Sequence, residues 1–113
     1  MIIPEIGIKK LVEDGFLPPG LTIGPSSVDL TLSNSISWPE PEKDKIILGE
    51  SVPHKQVQKV EFVLEPNHFV LASTAESIRV PHDMAAYVEG RSSIGRLGLQ
   101  LQNVGFIDAE FHG

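Results

Sequence analysis

Residues 97–108, LGLQLQNVGFID, set leucines at positions 97, 99 and 101 with Gly98, Gln100 and Gln102 between them. A period of two puts the leucines on one face, the pattern of a half-buried strand, and Asn103–Gly105 supplies a turn after it. The same alternation recurs in SVDLTL (27–32), where Val28, Leu30 and Leu32 alternate with Ser27, Asp29 and Thr31. Shorter apolar runs are IIL (46–48) and VEFVLEP (60–66), each a candidate strand. HFVLASTAESIRVP (68–81) reads as two strands meeting at Ser73–Glu76, and MAAYVEGRSS (84–93) carries a strand into a turn. Many short strands about ten residues apart predict a mainly β chain, a barrel or a sandwich. One helix stands in front of them: GIKKLVEDGF (7–16) has helical apolar spacing, with Gly15 as its stop. The proline- and glycine-broken segments 17–27 and 37–45 read as loops, the second an exposed hairpin tip.

The chain has 113 residues, 41% hydrophobic and 21% charged, the values of a folded protein, and a single domain over 1–113 is the expectation. No apolar run reaches the roughly 20 residues of a membrane-spanning helix, and the N-terminus MIIPEIGIKK has no secretory pattern. The absence of cysteine excludes disulfides, thiolate catalysis and cysteine-bound zinc, and it fits a cytoplasmic setting. A net charge of -6 argues against general nucleic-acid binding. An anionic ligand therefore needs a locally basic pocket. Of the three arginines, Arg79, Arg91 and Arg96, two fall in GRSSIGR (90–96).

That heptapeptide combines two guanidiniums, which grip phosphate oxygens bidentately, with the hydroxyls of Ser92 and Ser93 and two glycines that let backbone come close. It is no Walker loop, so kinase or ATPase chemistry has little support. From spacing alone, a phosphate cradle and an ordinary turn with surface arginines both stay open. Downstream, GFIDAEFHG (105–113) sets Asp108 three residues before Phe111. Either the carboxylate and ring serve one ligand, or Asp108 merely occupies a turn and Phe111 the core. The histidines at 54, 68, 82 and 112 have no ligand spacing and read as exposed loop residues. Trp38 and Tyr87 read as packed aromatics, and Glu89 as a partner for Arg91 or Arg79.

The order IKKLVEDG…IGPSSVDLTL…EGRSSIGRLGLQLQNVGFIDAEFHG resembles the dCTP deaminase family, within the trimeric dCTP deaminase/dUTPase superfamily. The likeness runs from the front helix to Gly113 and is weaker between Ser33 and Glu65. The resemblance implies a distorted β-barrel of the dUTPase-like, β-clip kind with one short N-terminal helix, assembled as a homotrimer with active sites between subunits. It implies a deoxynucleoside triphosphate, dCTP or dUTP, bound with Mg2+. Arg91, Ser92, Ser93 and Arg96 would then contact or support the phosphates, and Asp108 would lie near the deoxyribose 3′-hydroxyl or an ordered water. Phe111 would cover the sugar and exclude a 2′-hydroxyl. Ser27 and Asp29 match the first family motif, with Asp29 reaching the metal-phosphate side through water. Ser92 and Asp108 are the catalytic candidates.

The implied reaction is zinc-independent hydrolysis at C4 of cytosine, giving dUTP, with or without onward release of dUMP. A dUTP diphosphatase and a non-catalytic nucleotide-binding module are the alternatives. The family's proton-shuttling glutamate lies on a strand just after the glycine matching Gly113, in a segment like I-T-L-E that this sequence does not contain. The expectation is therefore a chain truncated before that glutamate, lacking C-terminal barrel strands. Ala109-Glu110 replaces the family's usual Pro-Gly, and Glu110 is a weaker substitute for the absent base.

Overall fold

The computed structural model describes residues 1–41, 45–102 and 105–113. They form two compact units, Met1–Val28 with Ser77–Gly113, and Asp29–Glu76.

In the first unit, helix α1 spans Glu5–Glu13, entered from Pro4 in an extended conformation. Ile8 is buried, with Leu11 and Val12 half-buried three and four residues on, so one stripe faces the core. On the exposed side Lys9 lies 2.6 Å from Glu5, and Lys10 2.9 Å from Asp14. Such exposed pairs add little stability. The helix ends where the sequence places its stop. Gly15 has φ +77, its amide donates to the Val12 carbonyl (3.1 Å), and the Phe16 amide donates to that of Leu11 (2.9 Å). This is a Schellman closure, and a side chain at Gly15 would cost about 1 kcal/mol in the left-handed conformation. The helix occupies 5–13 rather than 7–16; Asp14–Phe16 form its cap.

Arg79 holds that cap from outside. Its backbone amide donates to the Phe16 carbonyl (2.7 Å), its Nη2 donates to the Gly15 carbonyl (3.0 Å), and its guanidinium carbon lies 5.9 Å from the Phe16 ring centroid. A cation at a helix C-terminus meets the negative end of the dipole. Arg79 is thereby placed as a helix-end clamp rather than as a partner for Glu89.

The second unit is built on β1 (Leu32–Pro39), which lies between β2 (His54–Gln58) and β3 (Leu71–Thr74), antiparallel to both. Ile36, opposite Val57 and Ala72, is its buried centre. The other face carries Ser33, Ser35 and Ser37; the Ser33 and Ser73 hydroxyls are 3.0 Å apart, and Gln56 donates to the Ser35 hydroxyl. Trp38 is half-buried beneath Lys55, whose ammonium lies 5.8 Å from the ring centroid.

Several strand expectations do not hold. SVDLTL forms an isolated bridge between Val28 and Ile23, and the ladder begins only at Leu32, because a side chain takes the Thr31 amide: it donates to the Glu76 carboxylate at 2.9 Å. Residues 46–48 lead into a turn, with the Glu50 amide on the Ile47 carbonyl, and 60–66 join no ladder among the described residues. The second strand expected within 68–81 shrinks to a bridge between Arg79 and His112. The loop expected over 37–45 starts later, since β1 runs through Pro39, and residues 42–44 lie outside the described ones. Conversely β2, HKQVQ, has no apolar alternation and is held by the β1 backbone. The mainly-strand architecture with a front helix stands, but among the described residues the strands make two separate sheets and close no barrel.

Glu76 gives the second unit a pH signature. The Thr31 amide bonds its carboxylate and lowers its pKa below the ordinary value of 4.5. A depressed folded pKa adds stability above the unfolded pKa, and that stability is lost as pH falls through the folded value. Thermal melts from pH 6 to pH 3 should therefore show a decline in this unit that Glu76→Gln flattens.

Candidate functional site

The segment GRSSIGR does not lead into a strand. Residues Ser92–Gly95 make a one-turn helix, α2, with Arg91 as its extended N-terminal flank and Arg96 as its helical C-terminal flank. Amides of Ile94 and Gly95 both donate to the Arg91 carbonyl, and that of Arg96 to the Ser92 carbonyl, each at 3.0 Å. The turn then continues: Leu97 donates to Ile94 and Gly98 to Gly95, with Gly98 at φ +85. Leu97, Leu99 and Leu101 thus leave a helical turn as irregular backbone, and their alternation is no ladder. Of the turn expected after them at Asn103–Gly105, the first two residues lie outside the described ones; Gly105 is buried with φ +78.

Helical winding decides which groups share a face. Ser92 and Ser93 stand four and three residues before Arg96, so both hydroxyls and that guanidinium project from the same side. Arg91, preceding the turn, approaches from its start. All four side chains are exposed.

The second candidate cluster, Asp108 to Phe111, is a β-turn closed by the Phe111 amide on the Asp108 carbonyl (3.3 Å). Strand β5 (Phe106–Ile107), paired antiparallel with β4 (Ala86–Tyr87), delivers the chain into it. The Tyr87 and Phe106 rings meet edge to face at 6.2 Å, but Tyr87 is 66% exposed and so is not the packed aromatic the sequence predicts. Beyond the turn, residues 110–113 pair with 78–80: Ile78 and Gly113 exchange backbone bonds of 2.7 and 3.1 Å, while Val80 donates to Phe111 and accepts from Glu110. Phe111 is 43% exposed, which removes the alternative that it fills the core. Its ring folds back over the backbone of Gly113, where an added Cβ would sit 2.6 Å from the ring tip.

Within this turn Glu110 takes φ +64 while Ala109 does not have a positive φ. A positive φ at the third position alone defines a type II turn, whose preferred residues are Pro then Gly. Glu110 thus holds, at a cost, a conformation made for glycine.

Ser27 lies in a separate tight turn of the same unit, accepting from the Gly24 amide (2.8 Å). Asp29 is half-buried and belongs to the other unit. The four histidines are exposed. Among the described residues no three carboxylates or imidazoles gather as a metal site. Glu76 escaped the sequence reading: a lone glutamate in a turn gives no signal until its amide partner, 45 residues away, is known.

A family model described as dCTP deaminase-like matches residues 3–113. The dCTP deaminase, dUMP-forming, of Persephonella marina is 42% identical over 125 aligned positions covering 100% of this chain and 68% of that protein. The protein of the same description from Hydrogenobaculum sp. is 49% identical over 113 positions, covering 99% of this chain and 62% of its own length. That from Methanothermobacter thermautotrophicus is 38% identical, covering 99% and 64%. The chain thus spans about two thirds of the length of the curated relatives it matches.

The turn geometry makes a stability prediction. Replacing Glu110 with glycine should relieve the left-handed strain and raise stability by about 1 kcal/mol, read as a higher midpoint in urea with an unchanged slope.

Proposed function

The chain belongs to the dCTP deaminase-like family, and from that premise we propose that it acts in the hydrolytic deamination of dCTP to dUTP and the onward hydrolysis of dUTP to dUMP. The observation that carries the reading is the name shared by relatives 42% and 49% identical to it, dCTP deaminase, dUMP-forming. In the first step water adds at C4 of cytosine and ammonia leaves; in the second, water adds at the α-phosphorus and pyrophosphate leaves. The dUMP-forming description favours both steps on one protein over a diphosphatase alone or a binding module.

The turn 91–96 supplies the groups this substrate needs. Arg91 and Arg96 bring two guanidiniums to a chain of net charge -6, and the Ser92 and Ser93 hydroxyls share the Arg96 side. We assign them to the triphosphate, with Ser92 nearest the reacting atoms, and Asp108 to the 3′-hydroxyl or an attacking water. Phe111, held half-exposed over Gly113, is assigned to the sugar face. Mg2+ takes only one or two protein carboxylates when phosphates and waters complete its shell; Asp29, acting through water, fits that demand. The ion would supply charge neutralisation to the triphosphate. We also propose a homotrimer in the cytoplasm. Apolar side chains such as Leu48, Val60 and Val63, 99%, 93% and 82% exposed, favour association. No helix of the described residues is long and apolar enough to cross a membrane.

A full-length protein carrying this chain, incubated with dCTP and Mg2+, should yield dUMP, ammonia and pyrophosphate in equal amounts, resolved by ion-exchange chromatography; no turnover of dCTP or dUTP by that protein would refute the reading. Arg91→Ala should lower kcat/KM for dCTP by about 10–100-fold, the loss of one charge-assisted contact. Phe111→Ala should narrow the preference for dCTP over CTP, measured as the ratio of their kcat/KM values.

A further inference from the structure

We propose that Glu76 is a positioning residue for Asp29, a side-chain latch that fixes the backbone carrying the proposed metal-phosphate carboxylate. The inference rests on the assignment of Asp29 above.

Asp29 stands where the second unit's chain begins and Glu76 where it ends. Residues 29–31 precede β1 and have no strand ladder to fix them; pairing with β3 begins at Leu32 opposite Thr74, and the register shifts before Ile36. Three bonds take the ladder's place. The Thr31 amide donates to the Glu76 carboxylate (2.9 Å), the Ala75 amide donates to the Thr31 carbonyl (2.8 Å), and the Thr74 hydroxyl donates to the Glu76 carbonyl (2.7 Å). Thr31 is thus held on both its backbone groups by residues 75 and 76, and Asp29 lies two residues upstream. A backbone amide bonded to a carboxylate is a stronger tie than one bonded to a carbonyl. The depressed pKa of Glu76 has the same cause.

A purely structural glutamate would lower stability while leaving substrate binding by the folded fraction unchanged. A positioning residue acts through Asp29, so its loss should appear in KM and should vanish when Asp29 is disabled. The test is a double-mutant cycle on steady-state kinetics of a full-length protein carrying this chain, with dCTP and Mg2+, at pH 7 and a temperature where each variant is folded. Glu76→Ala should raise KM by about tenfold, the worth of one charge-assisted bond, with kcat changed less. Glu76→Gln keeps an oxygen acceptor and should restore KM to within about twofold of the parent. In the Asp29→Asn background, Glu76→Ala should add nothing further.

Independent, multiplying effects of the two substitutions would overturn the inference while leaving the Asp29 assignment intact. An Asp29→Asn protein with unchanged KM would overturn that assignment, and the inference with it. Should Glu76→Ala fail to fold, Glu76→Asp, which shortens the reach by one methylene, takes its place in the cycle under the same criteria.

Discussion

The first unit depends on the strip of backbone from Ile78 to Val80. On one edge it exchanges hydrogen bonds with residues 110–113, and on the other the Arg79 amide reaches the Phe16 carbonyl at the end of α1. Val80 is buried between these partners, and Pro81 behind it has no amide to leave unsatisfied. Because both sides of the strip are occupied, the helix cap and the Asp108–Phe111 turn are fixed to one backbone. Displacing the strip would lose both the Schellman stop and the seat of Phe111 together.

The two halves of the candidate site obey different constraints. The arginine-serine turn is short and local: its geometry follows from helical winding over a few residues, whatever surrounds it. The Asp108–Phe111 turn is set by partners some 30 residues earlier, and it tolerates an unfavourable residue at Glu110 because four backbone bonds on its far side hold it. In an acidic chain this separation keeps like charges apart. The cations are concentrated on one turn, while the carboxylates of Asp108 and Glu110 sit on another.

What could be read from residues follows the range of the forces involved. The stop at Gly15, the turn at Asp108 and the exposure of the histidines rest on local backbone chemistry, and the chain alone shows them. Strand assignments fail where an apolar pattern has no ladder to join: Leu97, Leu99 and Leu101 alternate but follow a helical turn, and the run 60–66 has no partner strand among the described residues. β2 was invisible because four of its five residues are polar and its place is fixed by register with β1, Ser35 opposite Gln58 through Pro39 opposite His54. Glu76 belongs to the same class, its partner lying far away in sequence. Residues 91–96 were legible as a cluster of guanidiniums and hydroxyls, open to a phosphate cradle or an ordinary turn, and the assignment to a nucleotide came from family likeness.

The aromatic content divides between the two units in a useful way. The chain's single tryptophan, Trp38, belongs to the sheet of the second unit beneath Lys55, and its single tyrosine, Tyr87, belongs to the first against Phe106. Indole emission, excited at the red edge where phenol does not absorb, therefore reports on the second unit with no background from the first. The molecule carries a built-in optical label for that unit, so its melting is readable without attaching a dye.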